Sequence, residues 1–114
     1  MTVTLTLRTN TFATAPQISL TDMQEIAAQG YKTVINNRPD GEGGPDQPLS
    51  ADIAKAAAEC GLDYVYLPVI SGQITGAQVA QFAELLATKP GPILAFCRSG
   101  ARSMNIYQMA TSAN

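Results

Sequence analysis

Hydrophobic and polar positions along the chain mark out strands alternating with helices. "VTLTLR" (3–8) alternates with period two and reads as a strand, at the edge of a sheet. In "SLTDMQEIAAQG" (19–30), Met23, Ile26 and Ala27 recur at helical spacing. Ser19 caps that helix with Asp22 three positions on, Ile18 staples onto Met23, and Gly30 stops it. "KTVIN" (32–36) is short, β-branched and apolar, the pattern of a buried strand. "NRPDGEGGPDQPLS" (37–50) is the one long irregular stretch, since its prolines and glycines forbid regular structure.

Ser50 is then expected to cap "ADIAKAAAEC" (51–60), with Ile53, Ala57 and Cys60 on one face and Gly61 as the stop. "LDYVYLPV" (62–69) reads as a strand ended by Pro68. "TGAQVAQFAELLATK" (75–89) opens on a Thr75/Gln78 capping box and carries a stripe of Val79, Phe82 and Leu86. "GPILAF" (91–96) is a fully apolar strand, and "RSMNIYQMA" (102–110) is helical. Strands alternating with helices predict an α/β fold: a mostly parallel central sheet with helices on both faces. In such sheets ligands bind at the carboxyl ends of the strands.

With 114 residues the chain has room for one domain with one core, spanning 1–114. Hydrophobic residues make up 46% and charged ones 14%, which excludes a disordered chain. A net charge of −2 gives no basic face for nucleic acid or anionic lipid. No apolar run reaches transmembrane length. The opening "MTVTLTLRTN" lacks the layout of a signal peptide, so the expected location is the cytoplasm. There, Cys60 and Cys97 stay reduced. Histidine is absent, which removes Cys-His and Ser-His-Asp catalysis and nearly every zinc site. No metal or cofactor is expected, and any general acid is a carboxylate, a lysine or a tyrosine.

The chemistry concentrates in "CRSGAR" (97–102), between the most apolar strand and a helix. A tight turn there aims backbone N–H groups into one concavity, and the helix start adds partial positive charge. Gly100 lets the loop of Arg98, Ser99, Gly100 and Ala101 curl. Arg102 can grip two oxygens of an oxyanion in bidentate fashion. The same field favours the Cys97 thiolate, the nucleophilic form. Ser103 is in position to donate a hydrogen bond to that sulfur. Cys60 lies on the apolar face of a helix without basic neighbours and reads as a small buried hydrophobe.

"CRSGAR" is similar to the rhodanese active-site pattern Cys-Arg-x-Gly-x-Arg. "APQIS", "GYKTVINNRPDGE", "GLDYVYLPV" and "FCRSGARS" together resemble the bacterial beta-lactamase-hydrolase-like, phosphatase-like domain family. The resemblance implies a cysteine-phosphatase or rhodanese-like fold and either sulfurtransferase or phosphatase activity. It also implies a persulfide-dioxygenase-like fusion or partner, and places Gln17 and Asn37 at the site.

Three departures from the cysteine phosphatases favour sulfur. Only four residues separate Cys97 from Arg102, where those enzymes have five. Phe96 stands where they carry His, and Ser71 stands where dual-specificity phosphatases carry the acid Asp. Sulfite leaves thiosulfate as a stable anion and needs no proton. The expected function is therefore a sulfurtransferase: Cys97 takes sulfur from a small sulfur-containing anion or persulfide and passes it to an acceptor thiol. The alternative is a phosphatase acting on a phosphoester through a phosphocysteine. A third reading is an oxyanion-binding module without catalysis. Asp40, Glu42 and Asp46 either form a solvated loop or close over the site with an acid, and Arg38 either pairs with them or helps to hold an anion.

Overall fold

The computed structural model describes residues 3–112. Five strands form one sheet in the order β1-β2-β5-β3-β4, comprising Thr6–Thr9, Phe12–Ala15, Ile93–Phe96, Thr33–Asn36 and Asp63–Tyr66. Only β1 runs antiparallel, as a hairpin partner of β2. β5 lies in the middle, parallel to β2 on one side and β3 on the other.

Period-two alternation sends side chains to opposite faces of the sheet, and each face is covered by two helices. On one face Ala13, Val34, Leu94 and Phe96 meet Met23 and Ile26 of α1 (Asp22–Ala28) and Ile53 and Ala57 of α2 (Ser50–Glu59). On the other, Phe12, Ile35, Ile93 and Ala95 meet Phe82 of α3 (Gly76–Thr88) and Ile106 of α4 (Ala101–Thr111). Phe82 and Phe96 are fully buried. Each such side chain contributes about 1.5–3 kcal/mol relative to its exposed state. The expected α/β architecture is what the chain adopts.

Several local expectations change. β2 was not legible as a strand: "FATA" is four residues long, closed by Pro16, and contains Thr14. The strand is nevertheless buried throughout, and Arg8 Nε donates to the Thr14 hydroxyl at 3.1 Å. β1 covers Thr6–Thr9, entirely exposed at the sheet edge. β4 ends at Tyr66, before Pro68. The Thr75/Gln78 capping box forms in full. At α1 only the reciprocal half forms: the Ser19 N–H donates to Asp22 Oδ2 at 2.7 Å, while the Ser19 hydroxyl meets Thr21.

Ser50 does not cap α2. It is the first helical residue, and its hydroxyl lies 2.6 Å from the Tyr64 phenol. Asp40 Oδ1 accepts the Ser50 N–H at 2.8 Å in its place. The stretch after β3 contains a single turn of 3-10 helix, Gly44–Asp46. Cys60 is half-buried at the end of α2, not fully enclosed.

Candidate active site

All four parallel strands deliver their carboxyl ends to one place. β2 leads to Gln17, β3 to Asn37 and Arg38, β4 to Val69 and β5 to Cys97. The loop from Cys97 runs directly into α4, with Gly100 as the turn residue before the helix. Gly100 has φ +95°, a region that a side chain disfavours. Its N–H donates to Cys97 Sγ at 3.1 Å, so a backbone dipole points at the sulfur. Cys97 is 1% exposed. The loop is pinned from β2, since the Gln17 N–H donates to the Arg98 carbonyl at 3.2 Å.

Arg102 reaches back across the loop. Its Nη1 donates to Glu42 Oε2 at 2.8 Å and its Nη2 to Glu42 Oε1 at 3.0 Å, a parallel two-bond fork. Nη1 also donates to the Val69 carbonyl at 3.0 Å, which fixes the guanidinium plane. Arg38 converges on the same carboxylate, with Nε donating to Oε1 at 2.9 Å. Its Nη1 donates to Gln17 Oε1 at 3.1 Å. Hydrogen bonds from Arg102, partly opposed by burial and reinforced by Arg38, hold the Glu42 carboxyl below its ordinary range. The Glu42 carboxylate in turn raises Arg102 above its usual value.

Arg38, Glu42, Gly43, Arg98 and Arg102 line a cleft of 560 Å³. Gly43 is closely packed there: a Cβ would stand 2.6 Å from Arg38 Nη2, so a side chain at this position displaces the end of Arg38. Arg98 is exposed at this cleft. Ser99 is also exposed, and its hydroxyl accepts the Ala101 N–H at 3.3 Å.

The structure brings together Gln17, Asn37, Arg38, Glu42, Arg98 and Arg102 around the Cys97 loop, but reassigns several roles. The Ser103 hydroxyl does not reach the sulfur; it donates to Asn37 Oδ1 at 2.9 Å, and both residues are buried. Asn37 Nδ2 donates to the Leu67 carbonyl at 2.9 Å, so its amide braces β3, β4 and α4 beneath the loop. Asp40 turns away to cap α2, and its own N–H donates to the Tyr66 phenol at 2.8 Å. Asp46 lies exposed in the 3-10 turn and is not part of the cleft lining. Ser71 is exposed and likewise outside that lining. The Val69 carbonyl and Gly43 were missed; nothing in the sequence marks which carbonyl of "LPVIS" or which glycine of the loop meets an arginine. Among the described residues no group of three His, Cys, Asp or Glu side chains is placed to hold a metal. No helix among them is long and apolar enough to cross a membrane.

A cysteine-bearing loop at the end of a central parallel strand, closed by an arginine at the start of a helix, defines a protein of the cysteine-phosphatase fold. The chain belongs to the family described as beta-lactamase hydrolase-like protein, phosphatase-like domain, matched over residues 4–114. A beta-lactamase hydrolase-like protein of Agrobacterium fabrum is 39% identical over 93 residues, covering 82% of this chain and 21% of that protein. The chain thus spans about a fifth of the curated relative it matches. A crystal structure of a candidate phosphatase from Neisseria meningitidis superposes with a TM-score of 0.80 at 32% identity, covering 87% of this chain and 70% of that one. The Pseudomonas aeruginosa protein TpbA, crystallised in complex with pTyr, superposes with a TM-score of 0.72 at 16% identity. That match covers 96% of this chain and 65% of TpbA, and it speaks to the fold alone.

Proposed function

We propose that this domain is a cysteine-dependent phosphoric monoester hydrolase working through a phosphocysteine on Cys97. The observation that carries this reading is the pairing of one sulfur with one guanidinium fork. Gly100 N–H meets Cys97 Sγ at 3.1 Å, and Arg102 holds a carboxylate through two parallel bonds as it would hold two phosphoryl oxygens. The Cys97 thiolate attacks phosphorus, the bond to the leaving oxygen breaks, and Arg102 with the loop N–H groups stabilises the charge on the equatorial oxygens. Water then attacks the phosphocysteine and frees the thiolate. The likeness to cysteine phosphatases supports phosphoester chemistry over the sulfur transfer expected from the short loop.

One feature keeps persulfide transfer as a second reading: only four residues lie between Cys97 and Arg102, a small cradle. Intact mass spectrometry separates the two. Quenched reaction with an aryl phosphate should add one phosphoryl group to Cys97, and thiosulfate should add nothing. One added sulfur atom from thiosulfate, with no turnover of aryl phosphate, would overturn the phosphatase reading. Cys97→Ser should abolish either activity, because a hydroxyl of high pKa does not replace a thiolate.

A further inference from the structure

We propose that Glu42 is the general acid of this site, loaded by exchange: the substrate's phosphoryl group replaces the Glu42 carboxylate on Arg102, and the released carboxylate takes up a proton from solvent. The inference rests on the phosphatase reading. Expelling an alkoxide or phenoxide calls for a proton donor beside the leaving oxygen. The other acids of this loop are placed elsewhere: Asp40 accepts the Ser50 N–H, and Asp46 lies exposed in the 3-10 turn outside the cleft lining. Glu42 is the one carboxylate lining the cleft.

In the resting site Glu42 does not serve as an acid. Both of its oxygens accept bonds from guanidinium groups, which keep it ionised. Those same bonds occupy both Nη atoms of Arg102, so an incoming oxyanion and Glu42 compete for one fork. Substrate binding removes the largest influence that keeps the carboxyl ionised and sets a phosphoryl dianion beside it, and both changes favour the protonated form. The charged groups around Glu42 are Arg38 on its own loop, Arg98 from the β5–α4 loop and Arg102 from the first turn of α4, with Cys97 beyond Arg102. Arg38 Nε remains as a tether on Oε1 and limits how far the carboxyl moves. The loop is exposed from Asp40 to Asp46, with Gly41 before Glu42 and Gly43 and Gly44 after it.

The protons balance. In the first step an S–P bond forms, the P–O bond to the leaving group breaks, and its electron pair takes the Glu42 proton. In the second, the Glu42 carboxylate accepts a proton from the attacking water as a P–O bond forms and the S–P bond breaks. Release of phosphate returns Glu42 to Arg102, and its proton returns to solvent.

Glu42→Gln tests the acid. Its kcat/KM on phenyl phosphate, which reports phosphocysteine formation and excludes the later hydrolysis common to all substrates, should fall about a hundredfold or more, within the range of about 10²–10⁴ for a positioned acid. On nitrophenyl phosphate, whose leaving group needs little protonation, the fall should stay under about tenfold. Equal losses on both substrates, or none, would overturn the acid role while leaving the phosphatase reading intact. Wild-type protein inert on both substrates would remove that reading and the acid role together. Calorimetric titration of Cys97→Ser with tungstate, in two buffers of different ionisation enthalpy near pH 6, tests the exchange without turnover. Proton uptake on binding, lost in the Cys97→Ser/Glu42→Gln double variant, is the expected result. Equal proton uptake with and without Glu42 would overturn the exchange.

Discussion

Ser103 and Asn37 are joined by a buried hydrogen bond, hydroxyl to Oδ1 at 2.9 Å, that ties the first turn of α4 to the residue after β3. The same amide donates to the Leu67 carbonyl, and the Asn37 N–H donates to the Phe96 carbonyl at 2.9 Å. The loop that carries Cys97 therefore rests on a fully satisfied polar brace. Asn37→Ala strands the Ser103 hydroxyl and the Leu67 carbonyl away from water, and the expected cost is about 2–4 kcal/mol. Ser103→Ala should cost about 1 kcal/mol, and the double variant should fall short of the sum because one bond is counted twice. Urea midpoints of the three variants give the coupling. Strict additivity would mean that the bond contributes nothing.

Arg102 and Arg98 lie at the same cleft but differ in what holds them. Arg102 is one-tenth exposed and locked by Glu42 and Val69, whereas Arg98 is exposed. Arg102→Lys keeps the charge and loses the planar fork. Aryl-phosphate turnover should fall by about 10²–10³, as for loss of an oxyanion donor. Arg98→Lys should stay within about tenfold, or roughly 1.4 kcal/mol. Matching losses would place both guanidiniums on the transferring group.

Asp40 shows how little the sequence says about acids in a glycine-rich loop. Asp40 and Glu42 are two residues apart with no periodicity between them, so pattern alone cannot aim one outward and one inward. In the structure Asp40 caps α2 and Glu42 enters the cleft. Asp40→Ala should cost about 1 kcal/mol, the usual size for loss of a helix cap. It should leave the ratio of kcat/KM on phenyl and nitrophenyl phosphate unchanged. A change in that ratio would return Asp40 to the list of proton donors.

The helices and central strands were legible because each has its own local signal. The Thr75/Gln78 box, the Met23/Ile26 and Ile53/Ala57 faces and the apolar "ILAF" are all realised. The Cys97 loop was legible for a different reason, since cysteine, glycine and arginine in order at a strand–helix junction are chemistry before they are structure. β2 was hidden because its four residues are buried by their neighbours in space, β1 and β5, which the local sequence does not contain. The Ser103 assignment failed similarly: a hydroxyl beside the loop finds a partner, and only the tertiary placement of Asn37 decides that it is an amide rather than the sulfur.

The Glu42 ion pairs should make stability depend on pH. The folded carboxyl is held below its unfolded value of about 4.3, so the contribution is full above that pH and is lost as pH falls through the lowered folded value. Glu42→Gln has no such titration. Wild type should therefore exceed Glu42→Gln in denaturation midpoint at about pH 7, by a margin that shrinks as pH is taken below about 4.3. A margin that stays constant over this range would mean that the pairs with Arg102 and Arg38 do not stabilise the fold. Glu42 is about one-third exposed, and the whole difference should stay near the size of a partly screened surface pair.

Gly43 and Gly41 flank Glu42 and differ in why each is glycine. Gly41 has φ +81° and open space around it, so Gly41→Ala strains the backbone and touches nothing. Gly43 has φ −97°, which any residue adopts, but its Cβ would stand 2.6 Å from Arg38 Nη2 and 3.0 Å from Gln47 Oε1. Arg38 Nε and Nη1 are bonded to Glu42 and Gln17, so Gly43→Ala makes the guanidinium shift against those bonds. The expected cost of that overpacking is about 1–3 kcal/mol. Displacing Arg38 also loosens Glu42, so Gly43→Ala should change tungstate affinity as well as stability. Gly41→Ala should cost about 1–2 kcal/mol from backbone strain and leave tungstate affinity near that of wild type. Titration of both variants with tungstate, alongside urea unfolding, separates the two. If both shift anion affinity equally, the effect comes from backbone freedom of the loop rather than from contact with Arg38.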